Sequence, residues 1–134
     1  MGAVMTAEAK VTVADNLIDS ICWVESRNNP DAIGDNGKAV GIAQIHPVCV
    51  RDVNRILKLQ QKTKRYTIED RKSVAKSKAM MKIYLEFYGE RYRRQTGKQP
   101  TQQILARIWN GGPDGWKDKA TIAYYQKVAK RLFV

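Results

Sequence analysis

Between Val13 and Arg27 the apolar residues recur at steps of three and four positions, which is the pattern of an amphipathic α-helix. This segment constrains the fold most, because a helix with one apolar stripe has to bury that stripe against other elements. Glu25 follows Ile21 by four positions and Ile18 by seven, so it falls on or beside the stripe that faces the core. A carboxylate is not expected there, since ionised side chains are seldom buried without a partner.

Turn-forming residues follow this helix. The segment from Asn28 to Gly37 is rich in Asn, Asp and Gly, and Pro30 ends the preceding helix. Its last four residues, Gly-Asp-Asn-Gly, predict a tight turn or a short hairpin. Ala39 to Ile45 is a short apolar stretch that we expect to be extended, with Gly41 permitting close approach of the backbone to a ligand.

Four further helices are predicted in the rest of the chain, which makes the domain mainly α-helical. The first follows Pro47, and the second runs from about Ile68 or Asp70 to Arg94. The third begins at Pro100-Thr101, and the fourth runs from about Lys119 to Leu132. Lys58 to Tyr66 is expected to be an exposed basic connection.

The chain has 134 residues, 43% of them apolar, which suffices for one hydrophobic core and is too short for two comfortable domains. We therefore predict a flexible N-terminal segment over residues 1–12 and a single monomeric domain over residues 13–134. No apolar run approaches the length of a membrane span.

The formal net charge of +11 predicts attraction to polyanions such as nucleic acid, anionic lipid surfaces or acidic cell-wall polymers, and does not choose among them. Solvated helix faces explain the same basic residues equally well. No nucleic-acid-reading motif is present, so specific nucleic-acid binding is not predicted.

No metal or cofactor site is predicted. Asp31, Asp35 and Asn36 lack the ligand spacing of a calcium hand, and Gly111-Gly112 lacks the Lys-Ser/Thr of a phosphate loop. The two cysteines, Cys22 and Cys49, are expected to be free more often than paired.

Burial of Glu25 on an apolar face would disfavour its charged form and raise its pKa toward working pH. A general acid that donates to a glycosidic oxygen needs that property. The alternative is a helix-end residue, slightly exposed and paired with Arg27 or another cation, and periodicity alone favours this alternative.

Three blocks of the sequence, the first of them made of two segments, favour the interpretation of Glu25 as a general acid. Residues 25–32 read Glu-Ser-Arg-Asn-Asn-Pro-Asp-Ala, and residues 39–45 read Ala-Val-Gly-Ile-Ala-Gln-Ile. Residues 108–113 read Ile-Trp-Asn-Gly-Gly-Pro, and residues 121–128 read Thr-Ile-Ala-Tyr-Tyr-Gln-Lys-Val. In order and spacing the chain resembles the catalytic domain of soluble lytic transglycosylases over about residues 13 to 130.

The resemblance implies a lysozyme-like α+β fold, a helical bundle around the acid-bearing helix with a small hairpin or extended loop. It also implies cleavage of the β-1,4 bond between N-acetylmuramic acid and N-acetylglucosamine in peptidoglycan, with Glu25 as acid and then as base. Ser26 would orient the acid and Tyr124 would steady it, with Tyr125 as the alternative. Gln44, the backbone of Gly41 and Ile42, and Asn110 would line the sugar groove.

Plainer interpretations remain for several of these residues. Gln44 could simply bond neighbouring backbone, and Asn110 could be a helix C-cap. Both tyrosines, Tyr124 and Tyr125, could be core aromatics, and Trp109 could stack on a sugar or pack in the core.

The run Gly34-Asp35-Asn36-Gly37 departs from the transglycosylase pattern and resembles goose-type lysozymes. In those enzymes the aspartate at the position of Asp35 helps to hold a water for hydrolysis. His46 stands where they carry a further aspartate, so half of their constellation is missing. His46 is therefore a candidate substrate contact or a structural group, and the choice between hydrolysis and an anhydro product stays open.

Two other function classes compete with the enzyme: a non-catalytic peptidoglycan-binding module and a basic nucleic-acid-binding protein. Glu25, Gln44 and Asn110 favour the enzyme. Met1 to Lys10 does not have the pattern of a secretory signal peptide. We therefore expect delivery to the periplasm or cell wall by a phage, a virion or secretion machinery.

Overall fold

The computed structural model describes residues 10–133 and confirms a mainly helical fold with a small hairpin. The helices are α1 (Asp15–Ser26), α2 (Pro47–Leu59), α3 (Val74–Thr96), α4 (Gln102–Gly111) and α5 (Thr121–Leu132). The strands are β1 (Ile33–Gly34) and β2 (Ala39–Val40). Single 3-10 turns span Asp35–Gly37, Ile68–Lys72 and Gly115–Lys117. Within residues 10–133 no helix is long and apolar enough to cross a bilayer.

Helix α1 is the centre of the domain. Its apolar stripe of Leu17, Ile18, Ile21 and Cys22 is at most 1% exposed. The helix packs against α3, α4 and α5, as its predicted periodicity requires. It ends where Arg27 adopts a left-handed conformation with φ 58°, and its amide N–H donates to the carbonyl of Trp23.

The hairpin forms where the turn residues predict it. Ile33 pairs with Val40 and Gly34 with Ala39 in antiparallel register, and Asp35–Gly37 makes the turn between the strands. Asp35 and Asn36 both take positive φ, which Asp and Asn tolerate better than most residues. The hairpin thereby places Asp35 close to the end of α1.

The predicted helix from Ile68 or Asp70 to Arg94 is wrong at its start, because two separate elements occupy that range. Thr67 and Asp70 form a capping box that closes the 3-10 turn Ile68–Lys72. Ser73 then takes an extended conformation and is the N-cap of α3. Its hydroxyl accepts from the N–H of Lys76.

The N-terminal segment predicted for residues 1–12 lies mostly outside the described residues. Of the part that is described, Val11 is 5% exposed and its N–H donates to the carboxylate of Glu90 over 3.2 Å. Val11 therefore contacts the domain already two residues before its predicted start.

Candidate active site

A cleft of about 470 Å³ opens beside the last turn of α1. Six of the residues that line it are candidate site residues from the sequence: Glu25, Asp35, Gln44, His46, Trp109 and Asn110. Four further residues, Ile45, Val48, Cys49 and Tyr84, complete its lining. Residues from α1, the hairpin, α2, α3 and α4 thus meet at one concave surface.

Glu25 is half-buried in this cleft, and the Tyr124 hydroxyl donates to its Oε2 over 2.7 Å. Burial raises the pKa of Glu25, and the nearby negative charge of Asp35 raises it further. Hydrogen bonds from Tyr124 and Trp109 and the proximity of His46 act against this rise in pKa. The net result is a carboxyl group that holds its proton at higher pH than an exposed glutamate does.

The predicted alternative of an ion pair between Glu25 and Arg27 is wrong. The Arg27 guanidinium carbon instead lies 5.0 Å from the centroid of the Trp23 ring. Within the described part of the chain Glu25 forms no ion pair at all, so no neighbouring cation neutralises it.

Helix α5 brings Tyr124 to Glu25 from 99 positions away in the chain. Burial raises the pKa of Tyr124 above that of an ordinary tyrosine, and the Glu25 carboxylate adds to the effect. Tyr124 is therefore a hydrogen-bond donor throughout the working range. Tyr125 packs partly buried against the core and does not line the cleft.

Ser26 joins the end of α1 to the loop after the hairpin. Its hydroxyl donates to the carbonyl of Ile42 over 2.7 Å and accepts from the N–H of Asn29. Ser26 and Ile42 do not line the cleft themselves. The hydrogen bond between Ser26 and Ile42 holds the C-terminal end of α1, which carries Glu25, against the loop that follows the hairpin.

Gly41 is needed for a different reason than predicted. Its φ is 88°, and a Cβ built on it would lie 1.9 Å from the carbonyl oxygen of Arg71. The backbone thus approaches another part of the protein closely, and Gly41 is buried outside the cleft lining. The expectation that Gly41 makes room for a ligand is not what this geometry shows.

Gln44 has a structural function and also faces the cleft. Its side-chain amide donates to the carbonyls of Ala32 and Gly41, each over 3.0 Å, as the plainer interpretation predicted. It nevertheless lines the cleft, and its backbone has a positive φ of 54°.

Arg71 supports this wall and is not apparent from the sequence, where it belongs to a run of basic residues. It is 7% exposed. Its guanidinium donates to the carbonyls of Lys38, Ile45 and Ile68 over 2.8 to 2.9 Å. Arg71 therefore ties the hairpin and the cleft-lining segment to the 3-10 turn before α3.

Aromatic residues form the opposite side of the cleft. The rings of Trp109 and Tyr84 meet edge to face with centroids 5.6 Å apart. Asn110 is exposed beside them on α4. The C-cap of α4 is Gly112, so the interpretation of Asn110 as a C-cap is wrong. Asn110 lines the cleft.

Comparison with protein families finds that the model of the transglycosylase SLT domain matches residues 3–124. The chain belongs to the SLT domain family. This family consists of lytic transglycosylases, which are glycosidases that act on peptidoglycan. A comparison with curated proteins gave no match.

Asp35 and His46 form a pair at the mouth of the cleft in this SLT domain. The distance from His46 Nε2 to Asp35 Oδ2 is 2.8 Å, and the two side chains are 38% and 68% exposed. The pair joins the hairpin turn to the N-terminus of α2, where His46 is the N-cap residue. It leaves Asp35 close enough to Glu25 for their charges to interact.

A second cavity of about 480 Å³ continues the cleft, because both are lined by Val48, Cys49 and Tyr84. Arg51, Asp52, Arg55, Gly112 and Pro113 complete its walls. The concave surface is therefore longer than one sugar-sized site, as a polymeric substrate requires.

The described residues contain no group of three or more His, Cys, Asp and Glu side chains that could hold a metal ion. Cys22 and Cys49 are free thiols. Burial raises the pKa of each to about 12, so both remain protonated at neutral pH and Cys49 is no nucleophile in the cleft.

Proposed function

We propose that this SLT domain cleaves the β-1,4 bond between N-acetylmuramic acid and N-acetylglucosamine as a lytic transglycosylase, with Glu25 as its acid and base. The observation that carries the proposal is the half-buried Glu25 carboxyl, unpaired by any cation and hydrogen-bonded by Tyr124 within a cleft. Burial raises the pKa of Glu25 and so favours the protonated form that a general acid needs. Peptidoglycan as substrate places the reaction in the cell wall or periplasm.

Protonated Glu25 donates its proton to the glycosidic oxygen as the bond from that oxygen to the sugar C1 breaks. The resulting carboxylate then takes the proton of one of the sugar's own hydroxyl groups, whose oxygen forms the new bond to C1. The proton returns to Glu25, no water is consumed and the product carries an anhydro ring. Tyr124 stabilises the carboxylate that exists between the two steps, because its hydroxyl donates to Oε2.

The remaining cleft residues would bind the glycan strand. Asn110 and Gln44 offer amide groups to sugar hydroxyl and acetamido groups, and Trp109 with Tyr84 offers aromatic surface for the sugar rings. His46 would contact the substrate from the cleft mouth. Ser26, Gly41 and Ile42 act indirectly, since they shape the wall without facing the cleft.

Hydrolysis is a second candidate reaction, and the Asp35–His46 pair favours it. A carboxylate at the cleft mouth, oriented by an imidazole, could hold a water for attack on C1. The products would then carry reducing ends, and Asp35 would be part of the catalytic machinery.

The decisive experiment digests purified peptidoglycan with the wild type and with Glu25→Gln, followed by mass spectrometry of the released fragments. Loss of a general acid should lower the rate by about 100-fold or more. Glu86→Gln is a matched control, because Glu86 is an exposed glutamate on α3, away from the cleft. Equal activity of Glu25→Gln and wild type would refute the assignment.

The chemistry of the fragment ends separates the two reactions. Anhydromuramyl ends indicate transglycosylation, and reducing ends indicate hydrolysis. If water is held by Asp35, the Asp35→Asn variant should lose reducing ends while any anhydro product persists. If the wild type does not cleave peptidoglycan and Glu25→Gln still sediments with it, the domain is instead a binding module.

A further inference from the structure

A second concave surface lies on the domain away from the catalytic cleft. This α1–α5 groove has a volume of about 410 Å³ and is lined by Trp23, Val24, Arg27, Lys127, Lys130 and Arg131. It shares no lining residue with the cleft. Trp23 precedes Glu25 by two positions on α1, so the two side chains project from roughly opposite sides of the helix.

Four of the six lining residues are cations, and none is acidic. The Arg131 guanidinium carbon lies 4.0 Å from the centroid of the Trp23 ring, and that of Arg27 lies 5.0 Å from it. The indole ring therefore gathers two guanidinium groups into one place, although their charges repel each other.

The charged groups of these four side chains form no hydrogen bond or ion pair with any described residue. Several cations elsewhere on the surface are paired: Lys78 pairs with Asp19 over 2.9 Å, and Arg91 with Asp114 over 3.0 Å. A cation–π contact positions a guanidinium without neutralising it. The α1–α5 groove thus concentrates positive charge that only a bound anion would balance.

We propose that the α1–α5 groove binds phosphate groups of an anionic cell-wall polymer. This binding would hold the enzyme on the cell wall while glycan strands are cleaved in the cleft. Guanidinium groups match phosphate oxygens in paired hydrogen bonds, and Lys127 and Lys130 add point charges along the same groove. A polymer with successive phosphates would meet several of these cations, whereas one carboxylate of a peptide stem would leave most of them unbalanced. The location of this polymer in the cell wall rests on the proposed function.

Two other polyanions fit the groove less well. Among the described residues, none of the large exposed apolar side chains lines the groove, whereas a lipid surface would take up such residues beside the cations. The Trp23 ring is covered by guanidinium groups, so it is not a free platform for stacking nucleic-acid bases.

The test titrates poly(glycerol phosphate), free of lipid, into the full chain. The wild type is compared with Arg27→Gln/Arg131→Gln and with the control Lys58→Gln/Lys62→Gln. The control removes the same charge from exposed positions outside the groove. We expect the groove variant to lose at least tenfold in affinity and about 1.4 from the slope of log K against log salt, since two phosphate contacts disappear. The control should lose less than threefold.

Nuclear magnetic resonance of the wild type gives a reading that does not depend on how the variants fold. The indole N–H signal of Trp23 should shift on titration, whereas that of Trp109 in the cleft should not. Equal losses in the two variants would overturn the proposal, as would absent binding, or tighter binding to anionic vesicles or to DNA at the same phosphate concentration. Binding is measured without catalysis, so an inactive cleft would refute the proposed function and leave this result to stand on its own.

Discussion

The Tyr124→Phe substitution tests how the cleft controls its acid. It removes one hydroxyl that donates to Glu25 over 2.7 Å and keeps the ring that packs against the core. A hydrogen bond to a charged group contributes about 1.5–3 kcal/mol, and one to a neutral group contributes about 0.5–1.5 kcal/mol. The loss of stability should therefore be larger where Glu25 is ionised than where it is protonated.

The expected shift in Tm follows from the size of the chain. An entropy of unfolding of about 2.1 cal/mol/K per residue gives about 0.28 kcal/mol/K for 134 residues. At a pH above the raised pKa of Glu25, a loss of about 1.5–3 kcal/mol lowers Tm by about 5–11 °C. At about pH 4 Glu25 is protonated, and the fall should be about 2–5 °C.

The pH dependence has a definite sign. The pKa of Glu25 is raised in the folded state, so its contribution to stability is present below the unfolded-state pKa and is lost as pH rises through the folded-state value. The Tyr124 hydroxyl stabilises the carboxylate and opposes that rise. Its removal should raise the pKa of Glu25 further and move the alkaline limb of kcat/KM to higher pH, because cleavage needs the protonated acid.

Calorimetry at the two pH values and the pH profile of peptidoglycan cleavage measure both effects. Tyr125→Phe is the matched control, since Tyr125 is the next residue of α5 and does not line the cleft. The same fall in Tm at both pH values, with an unmoved alkaline limb, would refute the reasoning. So would equal effects of the two substitutions.

Three further predictions concern the wall of the cleft and its charges. Gly41→Ala should cost about 2–4 kcal/mol in thermal unfolding, because its Cβ would meet the Arg71 carbonyl at 1.9 Å. Gly37→Ala, with a similar φ of 89° and no atom within 4 Å, should cost only the backbone strain of about 1–2 kcal/mol, and equal losses would argue against the close contact. Arg71→Lys should destabilise by about 2–3 kcal/mol, since an ammonium cannot reach all three carbonyls, and an unchanged midpoint in urea would contradict this. Asp35→Asn should move the alkaline limb of kcat/KM to lower pH, because the Asp35 charge raises the pKa of the acid, and a shift to higher pH would show that another charge dominates.

Local patterns made much of the helical fold predictable. The three- and four-residue periodicity located α1 to within two residues at its start and one at its end, because the positions of a helix that face the core depend only on its own repeat. Thr67 and Asp70 carry an equally local signal, a capping box, and the predicted single helix overlooked it. That error was one of interpretation, since side-chain bonds to nearby backbone groups can be inferred from sequence.

Glu25 shows where sequence and tertiary structure divide. The sequence by itself determined that a carboxylate would lie on or beside the apolar stripe of α1, and the resemblance identified it as the acid with Tyr124 as its partner and Tyr125 as the alternative. Only the tertiary structure decided that Arg27 turns away to Trp23, that Gly41 meets Arg71, and that unpaired cations of α1 and α5 share a groove. Helical periodicity is set by neighbours along the chain, whereas these contacts join segments that meet only after the core has packed.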